Sequence, residues 1–288
     1  MIRNNPTLKP SKLRRRRRKI LAVKILFVFL LIVGLIFLLS WLSKISAIQI
    51  TNIKVSGNSS VSEDEIKNLI TEETSKKYLL LFSQNSLFLY PRKQIEAKIL
   101  NDLKKIEKVE IKSKGLKTKT VSVVERKPNS IWCDSGESEA DGNNSKEKNP
   151  ESCYFLDREG MVFSDAPSFS GQAYTRYHGL LQGDLNPIGR MYLPSAKFKE
   201  IGNFINSLKG LGLVISEFHS ETEGDYEIYL ENGSKIIFDD RRPFDKILVN
   251  LESILSEIGI GKGLSTSSSV KLDYVDLRFG NKVFYKTK

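Results

Sequence analysis

The sequence predicts an α+β protein with one N-terminal transmembrane helix, a β-α-α-β-β unit behind it, and a mixed α/β region dominated by antiparallel strands. Three features lead there. Ile25 to Leu42 run for 18 residues without a charge. Residues 48–127 then switch from a strand pattern to two amphipathic helices and back to two strands. Beyond Pro128, short apolar runs are separated by Gly, Asn and Asp turn signals.

At ~1.5 Å per residue the uncharged run nearly crosses a ~30 Å hydrocarbon layer. Ile20 to Val23 extend it, with Lys24 snorkelling, which gives a transmembrane helix over 20–42. Trp41 suits the far interface. Residues 1–24 hold ten Lys and Arg and no acid, whereas the rest of the chain carries 35 basic and 34 acidic residues, so the +11 charge is a property of the tail. A nucleic-acid-binding domain keeps its excess on the folded surface. The distribution therefore argues against nucleic acid and for a membrane. Lys12, Arg14, Arg15, Arg16, Arg17, Arg18 and Lys19 abut the helix, which predicts a cytoplasmic tail over 1–19 that meets anionic lipid, with the C-terminal bulk exported. A cleaved signal peptide would have a shorter apolar core and a small-x-small site, and Ile45-Ser46-Ala47 is a poor one.

Ile48 to Ser56 reads as a strand ended by Gly57-Asn58. Ser62 and Glu65 then make a capping-box pattern, opening a helix with Ile66, Leu69 and Ile70 on its apolar face. Pro91 precedes a second helix carrying Ile95, Ile99, Leu103 and Ile106. Strands over 106–112 and 117–126 follow around Gly115, with Val121 and Val123 on one face. Further strands are expected at 131–133, 154–157 and 161–164, the last two joined across Arg158-Glu159-Gly160. A helix over 196–208 presents Phe198, Ile201, Phe204, Ile205 and Leu208. Strands at 214–218, 226–230 and 235–238 come next, with Asn232-Gly233 as a hairpin signal. Phe244, Ile247, Leu248, Leu251, Ile254, Leu255 and Ile258 form the strongest helical stripe. A final hairpin pairs 270–279 with 283–285 around Gly280-Asn281.

Cys133 and Cys153 bracket a polar stretch, Asp134 to Ser152, that reads as a solvated loop. In an oxidising compartment they are disulfide candidates, a bridge of this size contributing ~3 kcal/mol by the chain-entropy model. Two incidental thiols are the alternative, since spacing does not fix geometry. His178 and His219 show no ligand spacing with the cysteines, so no metal site is expected.

Several motifs, taken in order, resemble the FtsQ/DivIB family of bacterial cell-division proteins. Val55-Ser56-Gly57-Asn58 with Ser62-Glu63-Asp64-Glu65-Ile66 is similar to the opening of a POTRA domain, a β-α-α-β-β module. Val109 to Pro128 resembles its last two strands, ending in Glu-Arg-x-Pro. Cys153 to Pro167 resembles the hairpin that starts the family's β-domain, and Asp273 to Tyr285 its terminal Tyr-x-Asp-Leu-Arg strand and the strand after it. The resemblance implies a POTRA domain over 48–127 and a β-domain over 128–286 with a polar insertion at 134–152. Lys104-Lys105 and Gly115-Leu116 depart from the family's Pro-Trp and Trp-Pro.

The chain contains no Gly-x-Ser-x-Gly, His-Glu-x-x-His or P-loop, and neither histidine has an evident partner set. A non-enzymatic protein without cofactor or small-molecule substrate is expected. The terminal strand is the physical candidate for binding, because an edge strand offers unpaired backbone groups to a partner. Lys282, Lys286 and Lys288 equally fit a guard against such pairing. The resemblance implies that this edge holds FtsB/FtsL-type coiled-coil division proteins by β-addition, through Arg278, Phe279, Gly280, Asn281, Val283, Phe284 and Tyr285. It also implies that Lys108, Ile111 and Ser113 contact other divisome components. The implied function is a septal scaffold that helps control peptidoglycan synthesis; a POTRA-bearing translocation component is the alternative.

Overall fold

The computed structural model describes residues 12–42, 49–78, 82–83, 85–86, 89–134, 152–169, 173–179, 181, 186–221, 224–257, 272–280 and 282–288. The chain divides into two compact units, Met1–Val124 and Glu125–Lys288. The sequence-based boundary at 127/128 lies a few residues further on.

In the first unit, α1 (Lys12–Leu42) contains a stretch, Arg16–Trp41, long and apolar enough to cross a membrane. Its Leu, Ile, Val and Phe side chains are nearly all exposed, as a lipid-facing helix requires and a core helix does not. Strand β1 (Asn52–Ser56), helix α2 (Glu63–Ser75), the two-residue strands β2 (Lys77–Tyr78) and β3 (Phe82–Ser83), helix α3 (Arg92–Asp102), and strands β4 (Ile106–Ser113) and β5 (Thr118–Glu125) follow. The sheet order is β1-β5-β4, with β1 parallel to β5 from Asn52↔Thr118 to Ser56↔Ser122. Ser62 caps α2, its Oγ accepting from the Glu65 N–H at 3.1 Å. Ile66 and Ile70 of α2, Ile95 and Ile99 of α3, and Ile106, Ile111, Val121 and Val123 of the strands close one core. Gly57 has φ +86°, and a Cβ there would lie 2.2 Å from the Val123 carbonyl oxygen, so the turn after β1 admits only glycine.

Three expectations shift in this unit. The strand begins at Asn52, because Thr51 and Asn52 are the first N–H groups to meet the Lys117 carbonyl, while Ile50 donates instead to Asn85. Ile106 shares the helical spacing of α3 but opens β4: the helix closes at Asp102, where Leu103 N–H bonds Ile99 O. The short pair β2-β3 between the helices has too few residues to show periodicity.

The second unit is built on strands β6 (Ser130–Cys133), β7 (Cys153–Leu156), β8 (Val162–Asp165), β9 (Arg176–Gly179), β10 (Ile215–Ser220), β11 (Asp225–Leu230), β12 (Lys235–Asp239), β13 (Leu272–Asp276) and β14 (Phe284–Thr287), with α4 (Ser195–Gly210) and α5 (Phe244–Glu257) between them. They form one sheet of order β14-β13-β12-β11-β10-β9-β6-β7-β8. Antiparallel pairs dominate, and β12-β13, β10-β9 and β6-β9 are parallel. In β11, Tyr226, Ile228 and Leu230 are buried while the alternate residues are half-exposed. The buried side meets Phe198, Ile201, Phe204, Ile205 and Leu208 of α4 and Phe244, Ile247, Leu251 and Leu255 of α5 in a single core. The opposite face carries polar residues such as Glu217, His219 and Glu227 on β10 and β11, and an aromatic cluster of Phe155, Phe163, Phe169 and Tyr174 near β7 and β8. Residues 258–271, Ile258 among them, lie outside the described residues, as do 135–151 of the insertion.

The cysteines are cross-strand neighbours on β6 and β7 and form a disulfide with S–S 2.06 Å, which resolves the two alternatives the sequence left open. The bridge closes the base of the polar stretch, where Asp134 N–H also bonds Ser152 O at 3.0 Å.

Candidate functional site

The edge formed by β13 and β14 gathers most of the expected contact residues. The strands are antiparallel, with Val275↔Tyr285 and Asp276↔Phe284 opposed. Among the described residues no strand lies beyond β14, so one row of its backbone groups faces away from the sheet. The connection is held by a clamp from the helix side. The Arg242 guanidinium donates to the carbonyls of Leu277 and Gly280, and Asn250 Nδ2 donates to Gly280 O at 3.2 Å. Gly280 itself has φ +70°, the left-handed turn conformation glycine favours.

Arg278 anchors the outer end of β13. It donates from Nε and Nη2 to the two Asp276 oxygens at 3.0 and 2.7 Å, and from Nη1 to Asp225 at 3.0 Å. The hydrogen bonds it donates to Asp276 hold the guanidinium pKa above its ordinary value, against burial. Burial pushes the Asp276 carboxyl up, but the bonds from Arg278 outweigh it and leave the group below its usual range. Phe279 and Phe284 are 55% and 50% exposed and meet edge to face, with ring centroids 5.1 Å apart. Arg278 lies over the Phe279 ring at 5.9 Å. Tyr285 is exposed on the opposite side of the strand. Val283 packs against the main core, which makes it more an anchor of the strand than a contact. Asn281 lies outside the described residues. Of the guard lysines, Lys286 Nζ is 3.0 Å from Asp273 and Lys288 Nζ donates to Gly233 O at 3.3 Å.

The three expected positions on β4 do not share a surface. Lys108 is open to solvent, with Glu107 3.6 Å away. Ser113 Oγ accepts from Lys119 Nζ at 2.6 Å. Ile111 is 1% exposed and belongs to the core of the first unit, so the contact role implied for it is corrected. The two-residue spacing of Val109 and Ile111 along β4 carried that signal.

A second constellation escaped the sequence reading. The chain has two histidines, and the structure brings them side by side: His178 on β9 and His219 on β10 stand directly opposite each other in the parallel pair. Their rings stack with centroids 4.5 Å apart. Glu217, two residues before His219 and so on the same face, points its Oε2 at both rings, 3.0 Å from His219 Nε2 and 3.7 Å from His178 Nε2. The absence of a partner set for either histidine is thereby corrected. The histidines lie 41 residues apart, and only the register of β9 against β10 unites them; β9, with four residues and a terminal Gly179, shows no alternation to betray it. Across β10, Tyr229 donates to Glu227 at 2.7 Å, and burial followed by that bond pushes its phenol up to about 12, so it stays protonated.

The fold and these two sites define an α+β protein with a membrane-length N-terminal helix and an open sheet edge. No family model matches the chain, and no curated protein matches it either.

Proposed function

We propose that the chain is a non-enzymatic divisome scaffold of the FtsQ/DivIB type, anchored by α1 with its basic tail in the cytoplasm. In this reading β14 receives a strand from small bitopic FtsB/FtsL-type division proteins at the septum, and the assembly helps control septal peptidoglycan synthesis. One observation carries it: β14 is the terminal strand of a nine-stranded sheet, clamped in place by Arg242 yet presenting Phe279, Phe284 and Tyr285 to solvent. β-Addition needs such an edge for backbone pairing and flanking aromatic side chains for selectivity. Two of the three candidate guard lysines bond the sheet's own residues, which favours docking over protection. The order β-α-α-β-β with the first and last strands parallel is what a POTRA module requires, and it supports the resemblance in the first unit.

The test is capture from detergent-solubilised membranes. The full chain should retain an FtsB-like protein, and Phe284→Glu should release it while leaving the chain folded. Recovery of no such protein, with capture unchanged by Phe284→Glu, refutes the reading. Depletion should give filamentous cells; normal septation on depletion is equally fatal to it.

A further inference from the structure

We propose that His178, Glu217 and His219 form a zinc(II) site that staples β9 to β10. Three lines of observation converge. Both histidines of a 288-residue chain are gathered at one point of one sheet, with a carboxylate between them. The donor atoms are mutually placed for one ion: a tetrahedral zinc with ligands at 2.0–2.1 Å sets its donors ~3.4 Å apart. Here the two imidazole Nε2 atoms lie 3.0 and 3.7 Å from the same Glu217 oxygen, and the whole set falls within 4.8 Å. The donors are also of the class zinc takes, two imidazoles and one carboxylate.

The surroundings suit a cation. With both Nε2 atoms on the metal, the ring protons sit on Nδ1, and that of His219 faces Glu221 Oε1 at 3.9 Å, longer than a hydrogen bond but on the side where an outer carboxylate commonly orients a ligating imidazole. The register of β9 to β12 places Glu227 and Lys235 on the same face, with Arg176 beside Glu217. The carboxylates Glu217, Glu221 and Glu227 thus outnumber the cations Arg176 and Lys235. His178 is nearly buried, while His219 and Glu217 are 25% and 35% exposed, which opens the fourth coordination position toward solvent for a water molecule. The location is a seam. β9-β10 is the parallel junction between the β14-to-β10 and the β9-to-β8 portions of the sheet, and its pairing spans four residues. A metal there ties the two portions together without any contact to β14.

The experiment is a titration of the full chain, purified in detergent without a histidine tag and stripped with chelator. Zinc(II) alone is the probe, followed by calorimetry and by visible absorption with cobalt(II) in its place. One ion per chain is expected, with a cobalt spectrum of tetrahedral type and a rise in melting temperature on zinc addition. His219→Ala and Glu217→Gln, both partly exposed and therefore compatible with folding, should each weaken binding more than about tenfold, the scale on which loss of even an outer partner acts. They should also abolish the zinc-dependent rise. Absence of saturable binding, or binding unchanged in either variant, overturns the proposal. Capture of the division partner by Phe284→Glu protein fails independently of this titration, so the two readings fall separately.

Discussion

The two edges of the nine-stranded sheet are finished differently. At the β8 edge, the segment after Pro187 lies along the strand: Val162 donates to Arg190 O at 2.8 Å and accepts from Gly189 at 2.7 Å, and Tyr192 N–H bonds Gly160 O at 2.9 Å. Met161 and Met191 form a further bridge. The outward groups of Val162, at the start of that strand, are thereby consumed within the chain. At the β14 edge all four residues of the strand are exposed, and the fixed elements, Arg242 and Asn250, hold the turn rather than cover the strand. Uncovered edges invite aggregation, and folds usually blunt them. That one edge is strapped and the other is braced but bare is the physical ground for the proposal that recognition takes place at β14.

The largest effect is expected from undoing the strap. Gly189 sits at φ +93°, and its N–H serves Val162, so Gly189→Pro removes the bond and demands a φ the site does not have. A loss of about 3 kcal/mol is expected from strain and the missing bond together. Chemical denaturation should report it, and concentration-dependent aggregation should appear with it. A smaller loss, about 2 kcal/mol, is expected for Arg242→Ala, which leaves the Leu277 and Gly280 carbonyls without their charged donor. Hydrogen exchange should locate it: faster at β13 and β14, unchanged at β8. Equal acceleration at both edges would mean that the clamp supports the sheet as a whole.

The helices and hairpins that flank these edges were readable in the sequence, but the contrast between the edges was not. Phe244 to Glu257 and Ser195 to Gly210 fold as helices because their apolar stripes recur at helical spacing, and Asn232-Gly233 makes its hairpin because Gly233 takes φ +78°. The terminal hairpin was legible from Gly280 and the flanking alternation. Its position at the end of the sheet was not, since strand order depends on non-local pairing. The strap is irregular backbone with no period at all, and β9 is a four-residue strand inserted between β6 and β10. The histidine cluster stayed invisible for the same reason: it exists only once β9 and β10 are in register.

On the bare edge itself, Phe284→Glu should change stability by no more than about 0.5 kcal/mol, because an exposed side chain away from any buried network has little native energy to lose. Its effect on partner capture, set beside that small change in denaturation midpoint, separates recognition from folding.

The smallest effect concerns the Asp276–Arg278 brace and is set by pH. Burial opposes ionisation of Asp276, but the Arg278 hydrogen bonds prevail and lower its pKa in the folded chain. A carboxyl depressed on folding binds its proton more readily when unfolded, so its contribution is complete above the unfolded value of about 3.9 and drains away as pH falls through the folded one. Amide protection in β13 and β14, corrected for intrinsic exchange, should therefore decline below about pH 4 while the strapped β8 edge declines less. Asp276→Asn should flatten that dependence, because the amide keeps an acceptor for Arg278 but has no proton to titrate, leaving Asp225 as its charged partner. A β14 edge whose acid sensitivity survives the substitution would place the titrating group elsewhere and reduce Arg278 to a surface pairing with little influence on the edge.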